Sequence, residues 1–317
     1  MKKTHWFFYI IGLTLVLGSC QQKEKEQETS VMYEIKGDKP CYIFGTLHSE
    51  PKEFEKLLEI PLQKLKESDE IFFEANYQTD EVKQILGPVM VEWEIYDTYP
   101  DSLKQILEPY RKVLYLPKGQ NLENTLDKEA YERLLQYYQS HKKHIEQYSE
   151  RSIWSSINHI NKMREEEKKV DFDKTLFQEG IKANKKLRGF ETFHEIFDVW
   201  RPLSIEQQIF LMNNILNNKE KLDSNKVRQE RAYLEGDINM ISLIDRDLFA
   251  NAGEKQWKKD LDNRLYDLRN EKYLAILKGE IGKAKLFITV GAARMGGDKG
   301  LIKQLELAGY KLEPVKL

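Results

Sequence analysis

The stretch FITVGAARMGGDKG, residues 287–300, carries the clearest structural pattern in the chain. Its apolar first half predicts a buried strand, and the small residues and glycines that follow predict a tight loop. Arg294 is the unusual residue in this stretch, because a buried arginine is costly unless a partner balances its charge. We therefore ask whether this strand end presents Arg294 to a site.

Further short apolar runs, bounded by turn residues, predict the other strands of a sheet. They lie at 32–36 and 41–44, joined as a hairpin through Gly37 and Asp38, and at 70–75, 186–191, 285–290 and 310–315. Helical spacing of apolar residues dominates 79–167 and recurs at 61–68, 173–185, 206–217, 224–234, 239–251, 254–279 and 301–307. We expect an α/β (or α+β) fold, in which helices flank a central sheet of short strands and 79–167 is a large helical insertion.

Two segments of the chain share one plan, and they suggest two related halves that face a common cleft. Residues 44–75 and 287–315 both read as an apolar strand, a Gly-x-x-His or Gly-x-x-Arg motif, a loop, a short helix and a strand. No Pro/Gly/Ser-rich linker divides the chain after residue 31, so we expect residues 32–317 to form a single domain.

The charge balance excludes one class of partner. The chain has 50 basic and 52 acidic residues, which gives a formal net charge of −2. Nucleic-acid binding normally requires a clearly basic face, so we expect no nucleic-acid partner.

The first twenty residues have the layout of a bacterial lipoprotein signal. Lysines come first, an apolar run extends over 6–17, and the tetrad Leu17-Gly18-Ser19-Cys20 resembles a lipobox. We expect residues 1–19 to be removed, Cys20 to carry fatty acyl chains, and residues 20–31 to be a polar tether. The expected location is a bacterial membrane, most simply the outer membrane. The alternatives are an ordinary signal peptide or an uncleaved anchor.

A lipidated Cys20 leaves Cys41 as the second and last cysteine, so neither an intrachain disulfide nor a cysteine-based zinc site is expected. Cys41 begins an apolar run, which favours a buried inert thiol over a nucleophile.

Polar side chains stand at or just beyond the ends of three predicted strands: His48, Glu74 and Glu191. Ligands often bind beyond strand ends, where loops converge. Imidazole and carboxylates suit a divalent metal ion or general acid–base work. The alternative is that each side chain only caps a strand through hydrogen bonds.

Together these elements resemble the TraB/GumN family, which is related to the TIKI metalloproteases. The segments that carry the resemblance span nearly the whole chain after the tether: YEIKGDKPCYIFGTLHSEP, SDEIFFEANY, KKLRGFET, YLEGDI, LRNEKYLAIL and FITVGAARMGGDKGLIKQLELAGYKLEPV. The resemblance implies an α/β or α+β fold with two Gly-x-x-His motifs and acidic residues. For its characterised relatives it implies divalent-metal-dependent proteolysis.

The resemblance also implies roles for individual residues. The first Gly-x-x-His motif falls on Gly45 and His48, and the acidic strand ends fall on Glu74 and Glu191. An Arg-Asn pair falls on Arg269 and Asn270, and the second Gly-x-x-His motif falls on Gly291 to Arg294. His48, Glu74 and Glu191 are then the implied metal ligands, for Mn, Co or Zn. Gly45, Asn270, Gly291 and Arg294 are the implied binding residues.

Arg294 departs from the family pattern at an implied metal ligand. A guanidinium stays protonated and has no lone pair for a metal ion. In one alternative, metal still binds through His48, Glu74 and Glu191. In a second alternative, Arg294 takes the place of the cation and pairs with Glu74 or Glu191. In a third, Arg294 faces solvent.

The leading functional hypothesis is a lipid-anchored, divalent-metal-dependent hydrolase of the peptidase type. Glu74 or Glu191 would act as the base, and Arg269 or Arg294 would stabilise the oxyanion. The loss of the second motif histidine puts this activity in doubt. The alternative is a non-catalytic lipoprotein that binds a peptide or a small anionic ligand in the same cleft.

Overall fold

The computed structural model describes residues 29–47, 50–75, 108, 111, 113–164, 169–247 and 255–317. Cys20, His48 and most of 79–112 therefore lie outside the described residues. The strands are β1 Met32–Ile35, β2 Cys41–Thr46, β3 Glu50–Pro51, β4 Glu70–Ala75, β5 Lys169–Val170, β6 Lys186–Glu191, β7 Leu286–Gly291 and β8 Leu312–Pro314.

Helices connect and cover these strands. They are α1 Glu59–Glu67, α2 Leu122–Thr125, α3 Lys128–Ser140, α4 Ile153–Arg164, α5 Phe172–Lys182, α6 Phe193–Asp198, α7 Ile205–Asn217, α8 Lys219–Leu234, α9 Ile238–Arg246, α10 Gln256–Asp262, α11 Leu268–Glu280 and α12 Leu301–Leu307. Within the described ranges, 3₁₀ turns lie at Lys52–Leu58, Ile145–Tyr148 and Ala292–Arg294, and a π-helical turn at Asn263–Asp267 joins α10 to α11. The predicted α/β class is confirmed.

Six strands form one mixed sheet in the order β6-β4-β7-β2-β1-β8. Strands β6, β4, β7 and β2 are parallel, while β1 pairs antiparallel with both β2 and β8. Strand β7 is buried along five of its six residues, as the apolar run predicts. Because parallel strands end at the same edge of a sheet, the residues that end β2, β4, β6 and β7 lie side by side.

The two segments with a shared plan both form strand–helix–strand units. One runs from β2 through α1 to β4, and the other runs from β7 through α12 to β8. Strand β8 has the direction of β2, because both are antiparallel to β1. In each unit the turn after the first strand therefore opens at the same edge of the sheet.

Two groups of buried side chains hold the described residues together. The first surrounds the sheet and includes Phe44, Phe72, Phe287 and Ile288. The second lies among α2, α3, α4 and α7 and includes Leu134 and Leu261, the latter from α10. The expected division into tether and single domain stays a prediction.

Several helix boundaries differ from those expected. Helix α8 begins at Lys219 rather than at residue 224, and α9 ends at Arg246 within the described residues. The single helix expected over 254–279 changes to a π-helical turn between α10 and α11. Within the described ranges, no helix is long and apolar enough to cross a membrane.

Cys41 is completely buried at the start of β2, where burial raises the pKa of its thiol. This agrees with the interpretation of Cys41 as an inert core residue rather than a nucleophile.

Candidate functional site

Carboxylates from two neighbouring parallel strands meet at the carboxyl edge of the sheet. Glu74 lies one residue before the end of β4, and Glu191 ends β6, where it pairs in register with Ala75. On the other side of β4, strand β7 ends at Gly291, whose main-chain N–H donates to Glu74 Oε1 at 2.8 Å. The structure thus brings Glu74, Glu191 and Gly291 together at one edge of the sheet.

Arg269, in the first turn of α11, joins the two carboxylates. Its Nε lies 2.9 Å from both oxygens of Glu191, and its Nη2 lies 2.6 Å from Glu191 Oε2. The same Nη2 donates to Glu74 Oε2 at 2.8 Å. Such a two-pronged contact is the strong form of an arginine–carboxylate pair. Arg269 therefore fixes the positions of both acids.

Arg294 reaches Glu74 from the 3₁₀ turn that follows β7. Its Nε donates to Glu74 Oε1 at 2.7 Å, and its Nη1 donates to the carbonyl of Leu265 at 2.8 Å. Only 7% of its side chain is exposed. The alternative in which Arg294 faces solvent is therefore wrong. The contact with Glu74 is the one that the second alternative expects.

Tyr273 completes this group and was not identified from the sequence. Its hydroxyl donates to Glu191 Oε2 at 2.7 Å, and its ring stacks on Phe190 with centroids 4.4 Å apart. Tyr273 lies four residues after Arg269, so both side chains point from the same face of α11. This four-residue spacing is the sequence signal from which Tyr273 could have been placed beside Arg269. We call Glu74, Glu191, Arg269, Tyr273 and Arg294 the carboxylate–guanidinium cluster.

The glycines of the two motifs allow close packing beneath the cluster. A Cβ placed on Gly45 would lie 2.4 Å from the sulfur of Met295 and 3.0 Å from the Cα of Ala292, so any other residue at position 45 would require the Met295 side chain and the 292–295 turn to shift. The Gly45 carbonyl accepts a hydrogen bond from the Tyr233 hydroxyl at 2.6 Å. Gly45 and Gly291 thus shape the site, and nothing in the described residues assigns them a ligand.

The cluster is electrically balanced, with two carboxylates facing two guanidiniums. Burial alone would raise the pKa of Glu74, but the charges of Arg294 and Arg269 and the Gly291 N–H lower it from 4.5 to about 2. Burial would likewise lower the pKa of Arg269, yet the charge of Glu74 and the hydrogen bond to Glu191 raise it. Glu74 is therefore a carboxylate and Arg269 a cation throughout the physiological pH range.

Tyr273 stays protonated for a related reason. Burial, and then the charge of Glu74, raise the pKa of its hydroxyl far above the ordinary tyrosine value. The hydroxyl is consequently a permanent hydrogen-bond donor within the cluster and is unsuited to act as a base near neutral pH.

The donor set of the cluster does not suit a divalent metal ion. Each oxygen of Glu74 and Glu191 accepts a hydrogen bond from a guanidinium, and the two fixed positive charges would repel a divalent ion placed on the same carboxylates. Among the described residues, no three His, Cys, Asp or Glu side chains converge as a ligand group. His48, the third implied ligand, lies outside those residues, and so does the lipid-attachment residue Cys20.

Comparison with known proteins gives two findings. A sequence model described as the TraB/PrgY/gumN family matches residues 31–314. A relative from Xenopus tropicalis with the name Metalloprotease TIKI1 is 23% identical over 339 aligned positions, which cover 91% of this chain and 62% of the relative. The chain thus spans about three fifths of the length of that relative.

Proposed function

The chain belongs to the TraB/PrgY/gumN family, and on that premise we propose that it binds a small anionic ligand or a peptide carboxylate without a resident metal ion. The ion pair between Arg294 Nε and Glu74 Oε1, at 2.7 Å, carries the proposal. It places a fixed positive charge where the family pattern has a histidine. This guanidinium neutralises the acid that a metal ion would otherwise neutralise.

The unused hydrogen-bonding groups of the cluster indicate the class of ligand. Nη2 of Arg294 has no hydrogen-bond partner in the described part of the chain, and Nη1 of Arg269 has only a 3.5 Å contact with the carbonyl of Leu265. Both groups are donors, whereas the carboxylates are occupied. Solvent reaches the cluster, because 26% of the Glu74 side chain is exposed. Spare guanidinium donors favour a carboxylate or phosphate group.

Calorimetric titration of the full-length protein in detergent tests this function. The probes are a tripeptide with a free carboxyl terminus, the same tripeptide amidated, and inorganic phosphate. We expect heat from the free carboxylate and none from the amide. Arg294→Lys keeps the charge but loses the fork of donors, so its affinity should fall by about tenfold or more.

Arg188→Lys is the matched control, because Arg188 pairs with Glu70 and Glu280 at the opposite end of β6. It should bind the free tripeptide like the wild type. Equal heats for the free and amidated peptides, or no heat from any probe at millimolar concentration, would disprove the proposed ligand class.

A metal-dependent hydrolase is the second candidate, and the similarity to the TIKI1 metalloprotease favours it. Metal analysis after chelation and reloading with Mn, Co or Zn separates the two. The binding function predicts less than one ion per chain in the wild type and increased uptake in Arg294→His. One tightly held ion that is lost in His48→Ala would instead support the hydrolase, with Glu74 or Glu191 as its base.

We also propose that Cys20 anchors the protein to a bacterial outer membrane through fatty acyl chains. The lysines, apolar run and lipobox of residues 1–20 support this. Membrane fractionation and mass spectrometry of the N-terminal peptide test it. The wild type should carry acyl chains and sediment with the outer membrane, and Cys20→Ser should be unacylated. An unmodified Cys20 in the wild type would disprove the anchor.

A further inference from the structure

We infer that Asn270 is a positioning residue, which holds the backbone of Arg294 so that its guanidinium reaches Glu74. Asn270 follows Arg269 in α11 but points to the glycine-rich loop instead of the carboxylates. Its Nδ2 donates to the carbonyls of Arg294 and Lys299, both at 3.0 Å. These two carbonyls lie near the two ends of the loop, so one amide group fixes the path of the loop.

The orientation of this amide is set by its partners. Carbonyl oxygens only accept hydrogen bonds, so the NH₂ group must face them and the Oδ1 atom must point away. Oδ1 is buried and has no hydrogen-bond partner among the described residues. A buried polar atom without a partner costs free energy, which the two hydrogen bonds of Nδ2 must offset. The two hydrogen bonds donated by Nδ2 are thus the stabilising contribution of Asn270.

The other end of Arg294 is held by the π-helical turn. The carbonyl of Leu265, in that turn, accepts from Arg294 Nη1 at 2.8 Å and lies 3.5 Å from Arg269 Nη1. A π-helical turn widens the helix by one residue, and such turns often occur at functional sites. Hydrogen bonds therefore hold Arg294 at both ends: Asn270 binds its main-chain carbonyl, and Leu265 and Glu74 bind its guanidinium.

If Asn270 positions Arg294, then Arg294 is an ordered part of the site and more than a replacement for a histidine. The contacts that surround the arginine come from three separate elements: the end of β4, the π-helical turn and α11. Arg294 also lies against the Tyr273 ring, with its Cζ 5.4 Å from the ring centroid. The inference deepens the proposed function, since Arg294 supplies the spare donor for the ligand.

Labelling with phenylglyoxal, which modifies arginine, tests the role of Asn270 in the full-length protein without any ligand. Peptide mass spectrometry gives the rate at Arg294 relative to the exposed Arg231. The wild-type rate at Arg294 should be low, and Asn270→Ala should raise it by about tenfold, because two hydrogen bonds are lost. Asn270→Ser keeps one donor and should give an intermediate rate.

Asn225→Ala is the control, because Asn225 is also buried but lies in α8, where its Oδ1 accepts from Arg228, and among the described residues it has no hydrogen bond to the cluster. It should leave the Arg294 rate unchanged even if it lowers the melting temperature. A wild-type rate in Asn270→Ala, or an equal increase in Asn225→Ala, would overturn the positioning role. If Asn270→Ala does not fold, a wild-type rate in Asn270→Ser overturns it. Because no ligand is used, failure of peptide binding would not affect this result.

Discussion

At the scale of single residues, the site is governed by how Glu74 is neutralised. Glu74 accepts hydrogen bonds from Arg294, Arg269 and the Gly291 main chain, and it lies in a setting where an unpaired charge would be costly. The two guanidiniums supply the compensation within the protein itself. The stability of the fold and the properties of the site are therefore linked through this carboxylate.

The depressed pKa of Glu74 predicts a specific dependence of stability on pH. Its folded-state pKa of about 2 lies below the ordinary value of 4.5, so the stabilisation is present above pH 4.5 and is lost as the pH falls towards 2. Glu74→Gln should lower the free energy of unfolding by about 3 kcal/mol at pH 7. The difference in free energy of unfolding between the variant and the wild type should decrease as the pH falls from 4.5 to 2.

Urea denaturation across this pH range measures the effect. Glu53→Gln is the control, because Glu53 is an exposed carboxylate with no ion pair among the described residues. Its difference from the wild type should be close to zero and independent of pH. A pH-independent loss in Glu74→Gln would show that packing, rather than charge, explains the effect.

A double-mutant cycle isolates the pair that Arg294 forms with Glu74. Arg294→Ala should destabilise the protein by about 3 kcal/mol or more, because it removes one of the two cations that balance Glu74, whose side chain is only partly exposed. In the Glu74→Gln background the same change should cost less, since the acid is gone. Arg231→Ala, at an exposed arginine paired with Glu235, should change the free energy of unfolding much less, because solvent screens the pair. Strict additivity of the two changes would contradict a direct interaction.

At the scale of elements, the site depends on how the glycine-rich loop packs against neighbouring helices. A Cβ on Gly296 would lie 2.1 Å from the carbonyl of Ile238, at the start of α9. The neighbouring atoms belong to the backbone of α9, so they could not move away from the Cβ as a flexible side chain could. By contrast, Gly279 lies within α11 and has open space around it. These two glycines therefore have different functions in the fold.

Alanine substitutions at the two glycines should have opposite effects. Gly296→Ala should destabilise the protein by about 2 kcal/mol or more, through the clash with α9. Gly279→Ala should stabilise it by roughly 0.5–1 kcal/mol, because alanine loses less backbone entropy in a helix. Thermal and urea denaturation measure both. Destabilisation of similar size at both positions would contradict the close approach of the loop to α9.

At the scale of the whole molecule, one continuous helical path connects the two groups of buried side chains. Leu261 of α10 belongs to the helical group, and Tyr273 of α11 belongs to the group around the sheet, with the π-helical turn between them. Loss of either group would leave part of this path without packing. The described residues should therefore unfold together.

Urea unfolding tests this coupling, because Trp154, Trp200 and Trp257 all lie in the helical part of the molecule. Their fluorescence, measured after Trp6→Phe and Trp93→Phe, should change at the same midpoint as the far-ultraviolet circular dichroism. Leu134→Ala, in the helical group, should lower both midpoints equally through a loss of about 3 kcal/mol. Separate midpoints would instead show two independently folding units.

The sequence predicts much of this architecture because short apolar runs and glycines are local signals. The strands at 70–75 and 186–191 and the end of β7 follow from such runs, and their parallel pairing brings Glu74, Glu191 and Gly291 together. Features that depend on long-range contacts could not be predicted from the sequence. The π-helical turn and the role of Tyr273 depend on packing between α11 and two strands, and the composition of residues 254–279 does not specify that packing.

The ion pair of Arg294 with Glu74 also has an evolutionary consequence. A descendant that acquired histidine at position 294 would first lose a cation that Glu74 needs, and the Leu265 carbonyl would keep only its 3.5 Å contact with Arg269 Nη1. Such an intermediate would be less stable unless an ion arrived at the same step. Each contact of the arginine therefore makes its exchange for a histidine more costly to the stability of the fold.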